Sequence, residues 1–135
     1  MNTILEKTQL SEEVFKVRVN CPLIAEERRP GQFVILQLDT EYGERIPLTI
    51  ADADPNEGWI MLIFQTVGST THKLAELEPG DSIQNVVGPL GHPTHIRKVG
   101  RVVGVGGGIG VAPLHPIARG MKEAGNHLQL FASFY

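Results

Sequence analysis

The sequence is poor in the residues that build several familiar kinds of site. Among its 135 residues there is one cysteine, Cys21. That excludes an internal disulfide and a cysteine-based metal or iron-sulfur centre, and it fits a reducing compartment. Aromatic residues make up 6% of the chain, with Trp59 the single tryptophan, too few and too scattered for a nucleic-acid stacking platform. Neither sign of charge dominates, since 12 Lys and Arg stand against 15 Asp and Glu for a net −3. The basic cluster Arg97-Lys98 is too short to make a surface for nucleic acid or an anionic membrane. No apolar run reaches bilayer-spanning length, and acids come too early in the first residues for a signal peptide. The expectation is a soluble cytoplasmic protein with neither nucleic acid nor membrane as partner. Its length suits one core of ordinary size, not two full domains. The five histidines, His72, His92, His95, His115 and His127, show no metal-ligand spacing with acidic partners.

Punctuation is what the chain has in quantity. Fifteen glycines and nine prolines separate short segments rich in Val, Ile, Leu and Phe, a pattern of strands and turns. Strands are predicted over Ile4–Gln9, Val14–Val19, Phe33–Leu38, Pro47–Asp52, Trp59–Gln65 and Ser82–Val87, enough for a barrel or a sandwich. Reversals are predicted at Ala25–Gly31, Leu38–Glu44 and Asp54–Gly58. A short helix from Thr70 or Thr71 to Leu77 follows from a threonine cap at its start and Pro79-Gly80 beyond its end. The composition changes near Lys98-Val99-Gly100. A compact strand over Arg101–Val105 leads through glycines into Pro113–Ala124, where Leu114, Ile117, Ala118 and Met121 recur near helical spacing. Gly125-Asn126 stops that helix, and His127–Tyr135 forms a last strand, so this part reads as one β-α-β unit.

Three segments carry candidate chemistry. The run from Val105 through Gly106, Gly107, Gly108, Ile109 and Gly110 to Pro113 lies between a strand and a helix. Glycines there permit close approach of a phosphate, and free N–H groups at the helix start favour its charge. The dinucleotide fingerprint is incomplete, because the place of its third glycine falls on Val111. The other reading is a glycine connection that lets the helix pack close to the strand. Arg45-Ile46-Pro47-Leu48-Thr49 joins a fixed positive charge to a rigid proline and a hydroxyl, suited to a phosphate and a polar ring edge, or simply to a solvated face. Gly68-Ser69-Thr70-Thr71 is either a second anion cradle or a plain helix cap.

In order and spacing these segments, with Pro30-Gly31-Gln32-Phe33-Val34, Gly80-Asp81-Ser82-Ile83 and Gly88-Pro89-Leu90-Gly91, resemble the ferredoxin-NADP reductase superfamily. The resemblance is greatest to flavin-bearing small subunits related to NADH-dependent ferredoxin:NADP oxidoreductase, sulfide dehydrogenase and the electron-transfer subunit of dihydroorotate dehydrogenase. It implies a mainly β protein: a six-stranded antiparallel FAD-binding barrel over residues 1–98, then the first part of an NAD(P)-binding α/β domain over 99–135, stopping short of that domain's end. By position, Arg45 would meet the flavin phosphates, Pro47 and Leu48 would shape the ring pocket, and Thr49 would lie at the reactive flavin edge. Gly68, Thr70 and Thr71 would form a second phosphate contact. Gly106, Gly107, Gly108 and Gly110 would face the nicotinamide nucleotide, with Ala112 and Pro113 opening the helix against it. The implied activity is hydride exchange between NAD(P)H and FAD, with electrons passed to a partner subunit. In the related subunits a cysteine cluster holds a [2Fe–2S] centre, which Cys21 alone cannot supply. The alternatives are a non-catalytic flavin-binding module and an interaction module, with self-association through the C-terminal strand.

Overall fold

In the computed structural model, which describes residues 2–39 and 43–133, burial with a period of two organises the strands. β5 (Trp59–Gln65) buries Ile60, Leu62 and Phe64 and leaves Met61, Ile63 and Gln65 on its other face. β1 (Asn2–Gln9), β2 (Val14–Asn20), β3 (Phe33–Gln37) and β4 (Arg45–Asp54) join it in an antiparallel sheet. The segment predicted as one strand over Ser82–Val87 breaks at Gln84 into β6 (Ser82–Ile83) and β7 (Asn85–Leu90). β6 pairs with β1 and β7 with β3, the two margins of the order β6-β1-β2-β5-β4-β3-β7. One bent segment therefore curls the sheet almost closed, and six predicted strands become seven.

The core lies inside this near-barrel: Val17, Val19, Val34, Leu36, Ile50, Ile60 and Leu62 have essentially no exposed surface. Two short helices cover it. α1 (Pro22–Glu27) replaces part of the reversal predicted at Ala25–Gly31; it starts on Pro22 and buries Ile24 and Ala25. Six residues are too few to show helical periodicity, although proline at the first helical position is a start signal. α2 (Ser69–Glu76) inserts Leu74 into the core. Of the other predicted reversals, Asp54–Gly58 closes with the Gly58 N–H donating to the Asp54 carbonyl at 2.7 Å, while residues 40–42 of Leu38–Glu44 lie outside the described residues. Cys21 is buried at the start of α1, and burial pushes its thiol up to about 11, the behaviour of a core residue and not of a nucleophile.

Beyond an irregular segment, β8 (Arg101–Gly107), a 3₁₀ turn (Gly108–Gly110), α3 (Val111–Glu123) and β9 (His127–Ser133) form the predicted β-α-β unit. β8 and β9 pair in parallel; Phe134 and Tyr135 of the predicted last strand lie outside the described residues. α3 ends as the sequence predicts. Gly125 takes φ +94°, its N–H meets the Lys122 carbonyl at 3.0 Å, and the Asn126 N–H meets the Met121 carbonyl at 3.2 Å, satisfying carbonyls the helix leaves open. Asn126 then ties the unit together. Its amide donates to the Arg97 and Met121 carbonyls, and its Oδ1 accepts the N–H groups of Val99 and Gly100. Among the described residues no helix is long and apolar enough to cross a membrane.

Candidate functional site

Strand periodicity sorts the Arg45–Thr49 segment. Ile46, Leu48 and Ile50 face the core, so Arg45, Pro47 and Thr49 form a row on the outside of β4. Four residues of strand separate Arg45 from Thr49 by about 13 Å at the usual rise. The charge and the hydroxyl thus serve different ends of any ligand laid along the strand. Arg45 is exposed and forms no ion pair among the described residues. Phe33, opposite Thr49 in the register of β3 and β4, extends the row. Its ring leaves no room for a side chain at Gly91, where a Cβ would stand 2.8 Å from Phe33 Cε1. Gln32 Nε2 donates to the Gly91 carbonyl at 2.9 Å. The Pro30-Gly31-Gln32-Phe33 and Gly88-Pro89-Leu90-Gly91 motifs, far apart in sequence, therefore pack on each other behind the Thr49 row.

The start of α2 supplies the next wall. It is capped by Gly68 in extended conformation, not by a threonine hydroxyl. The Thr71 Oγ1 accepts the N–H groups of Val67 and Gly68 and donates to the Gly68 carbonyl, each at 3.0 Å. Both lone pairs and the proton of that hydroxyl are then committed, so Thr71 shapes the turn and offers a ligand no further hydrogen bond from its side chain. His72 Nδ1 also lies 2.8 Å from the Gly68 carbonyl. Nothing stands within 4 Å of a Cβ placed on Gly68. The fold itself leaves that space open, beside helix N–H groups that attract an anion.

The glycines of the third wall divide by role. A Cβ on Gly104 would meet Leu130 at 2.6 Å and one on Gly106 would meet Leu114 at 2.8 Å, so these two let α3 and its neighbours close on β8. Gly108 takes φ +56°, a backbone conformation that favours glycine. Gly107 and Gly110 have open space where a Cβ would be. The loop thus divides by residue, with close packing at Gly106 and open space beside the backbone at Gly107 and Gly110.

These walls enclose a cleft of about 550 Å³, the size of a small-molecule site. Pro47, Leu48 and Thr49 from β4, Gly68, Thr70 and Thr71 from α2, and Gly110, Ala112 and Pro113 from the start of α3 all line it. Arg45, Gly106, Gly107 and Gly108 lie outside its lining. The sequence reading missed Ile63 and Gln65 on the outer face of β5, and Ile109, which also line the cleft. Ile63 carried a signal: an apolar side chain at an outward strand position needs a cover. A second cavity of about 300 Å³, lined by Gly31, Phe33, Pro47, Leu48 and Thr49, continues along the row. Chemically, the arrangement offers a mainly apolar slot with hydroxyl and amide groups at its edge, an anion-attracting helix start at one end and glycine backbone at another. Those features fit a flat ring system carrying phosphates, and the empty volumes at Gly68 and Gly110 leave it room.

No family model matches the chain. It is 48% identical over 128 residues to a dihydroorotate dehydrogenase B (NAD(+)) electron transfer subunit homolog of Thermotoga maritima, covering 95% of this chain and 45% of that protein. The chain thus spans about half the length of the curated relatives it matches. Among solved structures, a chain of NADH-dependent reduced ferredoxin-NADP oxidoreductase superposes with a TM-score of 0.96 at 46% identity, over 99% of this chain and 48% of that one. An Amycolatopsis cytochrome P450 reductase shares the fold alone, with a TM-score of 0.77 at 23% identity over 98% of this chain and 42% of the other. Over nearly all its length, the chain is homologous to part of a dihydroorotate dehydrogenase B electron transfer subunit homolog and to part of a flavin-binding small subunit of the ferredoxin-NADP reductase family.

Proposed function

We propose that the chain binds FAD in this cleft and serves flavin-dependent electron transfer, exchanging hydride between NAD(P)H and the flavin and passing electrons to a partner protein. The observation that carries the reading is the convergence of three segments distant in sequence, at β4, at the start of α2 and at the start of α3, on one cleft. Residues 1–98 would be the flavin-binding barrel and 99–135 the first part of the nucleotide-binding domain. Bound FAD would supply the link between a two-electron donor and one-electron acceptors.

The protein's own work is positional. The outer row of β4 gives the ring a rigid apolar floor at Pro47, while Thr49 offers a hydroxyl to its polar edge. Arg45, about 13 Å back along the strand, neutralises a phosphate, and the open backbone at Gly68 lets another approach the N–H groups of Ser69 and Thr70. Ile109, Gly110, Ala112 and Pro113 close the cleft from the side of the β-α-β unit, where Gly107 and Gly110 leave backbone open to the nicotinamide nucleotide. Hydride transfer asks no general acid or base of the chain; it asks that donor and acceptor be held close and water kept out.

The test is the visible spectrum of the protein after mixing with FAD and removal of excess, followed by anaerobic addition of NADH and of NADPH. A retained flavin band that bleaches supports the whole reading. A retained band that does not bleach limits it to a flavoprotein, and no retained band overturns it. Replacement of Thr49 by Val should slow bleaching about tenfold while changing FAD affinity much less. Equal losses in stopped-flow reduction and FAD titration would refute the role of Thr49.

A specific observation supports the second reading, an electron-transfer or interaction module completed by another chain or a second copy. Among the described residues the second sheet has two strands, and Val103, Val105 and Phe131 are more than half exposed on it. Its outer edges offer unpaired backbone to another strand.

A further inference from the structure

The contact between the barrel and α3 is built around one carboxylate. An extra residue in β4, between Ile50 and Asp52 in the pairing with β5, bulges the strand at Ala51 and frees its carbonyl from the ladder. His115 Nδ1 reaches that carbonyl at 3.3 Å. One helical turn further along α3, Arg119 Nη1 donates to Asp52 Oδ1 at 2.8 Å. The same oxygen accepts Arg28 Nη2, from the end of α1, at 3.5 Å and the Ala53 N–H at 2.8 Å. The two arginines are not equivalent: the Arg28 side chain is 13% exposed, Arg119 is 50% exposed, and Asp52 is 14% exposed.

We propose that Asp52 is a shared counter-ion that makes the barrel–α3 contact a releasable latch, with Arg119 the arm that lets go and Arg28 the arm that stays. Carrying α3 away from β4 would ordinarily strand a largely covered carboxylate, at a cost that grows with its burial. Here Arg28 remains beside Asp52 when Arg119 leaves, and Arg119 is already half solvated. The latch is thus closed by a short charge-assisted bond and opened without leaving an uncompensated charge. The electrostatics agree. Burial pulls the Arg28 guanidinium below its ordinary value, Asp52 opposes that shift, and Arg119 adds to it more than Glu123 on α3 offsets.

Its place gives the latch a function. Thr49 lies three residues before Asp52 on β4, and Ala112 and Pro113 lie on the helix that carries His115 and Arg119. Closing the latch sets the width of the cleft between the Thr49 row and the start of α3. Asp52 and Arg119 are positioning residues, and this last step rests on the flavin reading of the cleft.

Hydrogen exchange of the flavin-free 135-residue protein, at 0.05 M and 0.5 M KCl, tests the latch. Arg119→Met should raise exchange of α3 about tenfold relative to the barrel strands and remove the salt dependence of α3 seen in the parent. Arg28→Met should leave α3 at least as well protected as in the parent, whereas an ordinary additive ion-pair cluster would loosen it in both variants. Unchanged α3 exchange in Arg119→Met, or equal loosening in the two, overturns the proposal. If Arg28→Met does not fold, the salt comparison between the parent and Arg119→Met decides it. With FAD bound, Arg119→Met should also make flavin fluorescence more sensitive to iodide quenching; unchanged quenching refutes control of the cleft. Failure to take up FAD overturns the flavin reading and leaves the flavin-free comparison intact.

Discussion

Gly68 and Gly106 are both glycines in candidate phosphate loops, yet they are glycine for opposite reasons. At Gly106 the protein fills the space, with Leu114 2.8 Å from where a Cβ would be; at Gly68 nothing comes within 4 Å, and the backbone is ordinary extended chain at φ −143°. Gly68→Val is therefore expected to leave thermal stability near that of the parent while lowering FAD affinity tenfold or more, because its side chain occupies the volume beside the helix N–H groups. Gly106→Ala should do the reverse, costing about 1 kcal/mol through strain against Leu114 with little effect on FAD affinity. Paired thermal melts and FAD titrations check both; Gly68→Val that binds FAD like the parent would remove that region from the site. Thr71 makes a related point. Its hydroxyl, a candidate phosphate ligand in sequence, is fully used in holding the turn.

At the scale of elements, a strand or helix matters here for what it aims. α2 points its start at the cleft and has its end fastened by Lys7 of β1. The Lys7 ammonium donates to the Ala75 carbonyl at 2.6 Å, the Leu77 carbonyl at 3.1 Å and Glu78 at 3.0 Å. A cation among the carbonyls of a helix end is favourable, and with its side chain 16% exposed Lys7 is only partly screened. Lys7→Met should lower stability by about 1–2 kcal/mol, measured by urea unfolding; a change within error would show the contact to be solvent-screened. Element by element, the sequence was most legible where hydrophobic alternation is strong. Alternation predicts Trp59–Gln65 with the bounds the strand has, and the Gly125-Asn126 stop is where φ turns positive. Pro22–Glu27 escaped because six residues leave no period to read. The break at Gln84 escaped because a strand that changes partners midway has the same local pattern as one that does not.

For the whole molecule, burial is uneven. Every residue of the main core cluster lies between Ile4 and Ile83, while β8 and β9 keep Val103 61%, Val105 74% and Phe131 55% exposed. A sheet that among the described residues has two strands, one apolar face open and no further strand on either edge invites pairing. If a second copy covers it, light scattering after size exclusion should give a dimer for the intact chain and a monomer once residues 127–135 are removed. A monomer for the intact chain would count against self-association and leave the surface to a different partner.

The amino-acid sequence by itself determined most of the strand-forming segments, the β-α-β unit, the turn glycines and the segment Arg45–Thr49 as a candidate, because alternation, capping and backbone freedom are local properties. Only the tertiary structure decided that Arg45, Pro47 and Thr49 form an outward row, that α2 and α3 bring their starts to it, and that Ile63, Gln65 and Ile109 are among the other residues lining the cleft. It alone also divided the glycines between packing and open space and joined Arg28, Asp52 and Arg119 across the barrel–α3 contact. Those outcomes depend on which elements pack together and at what distance, and residues 24, 67 and 91 positions apart carry no local mark of their meeting.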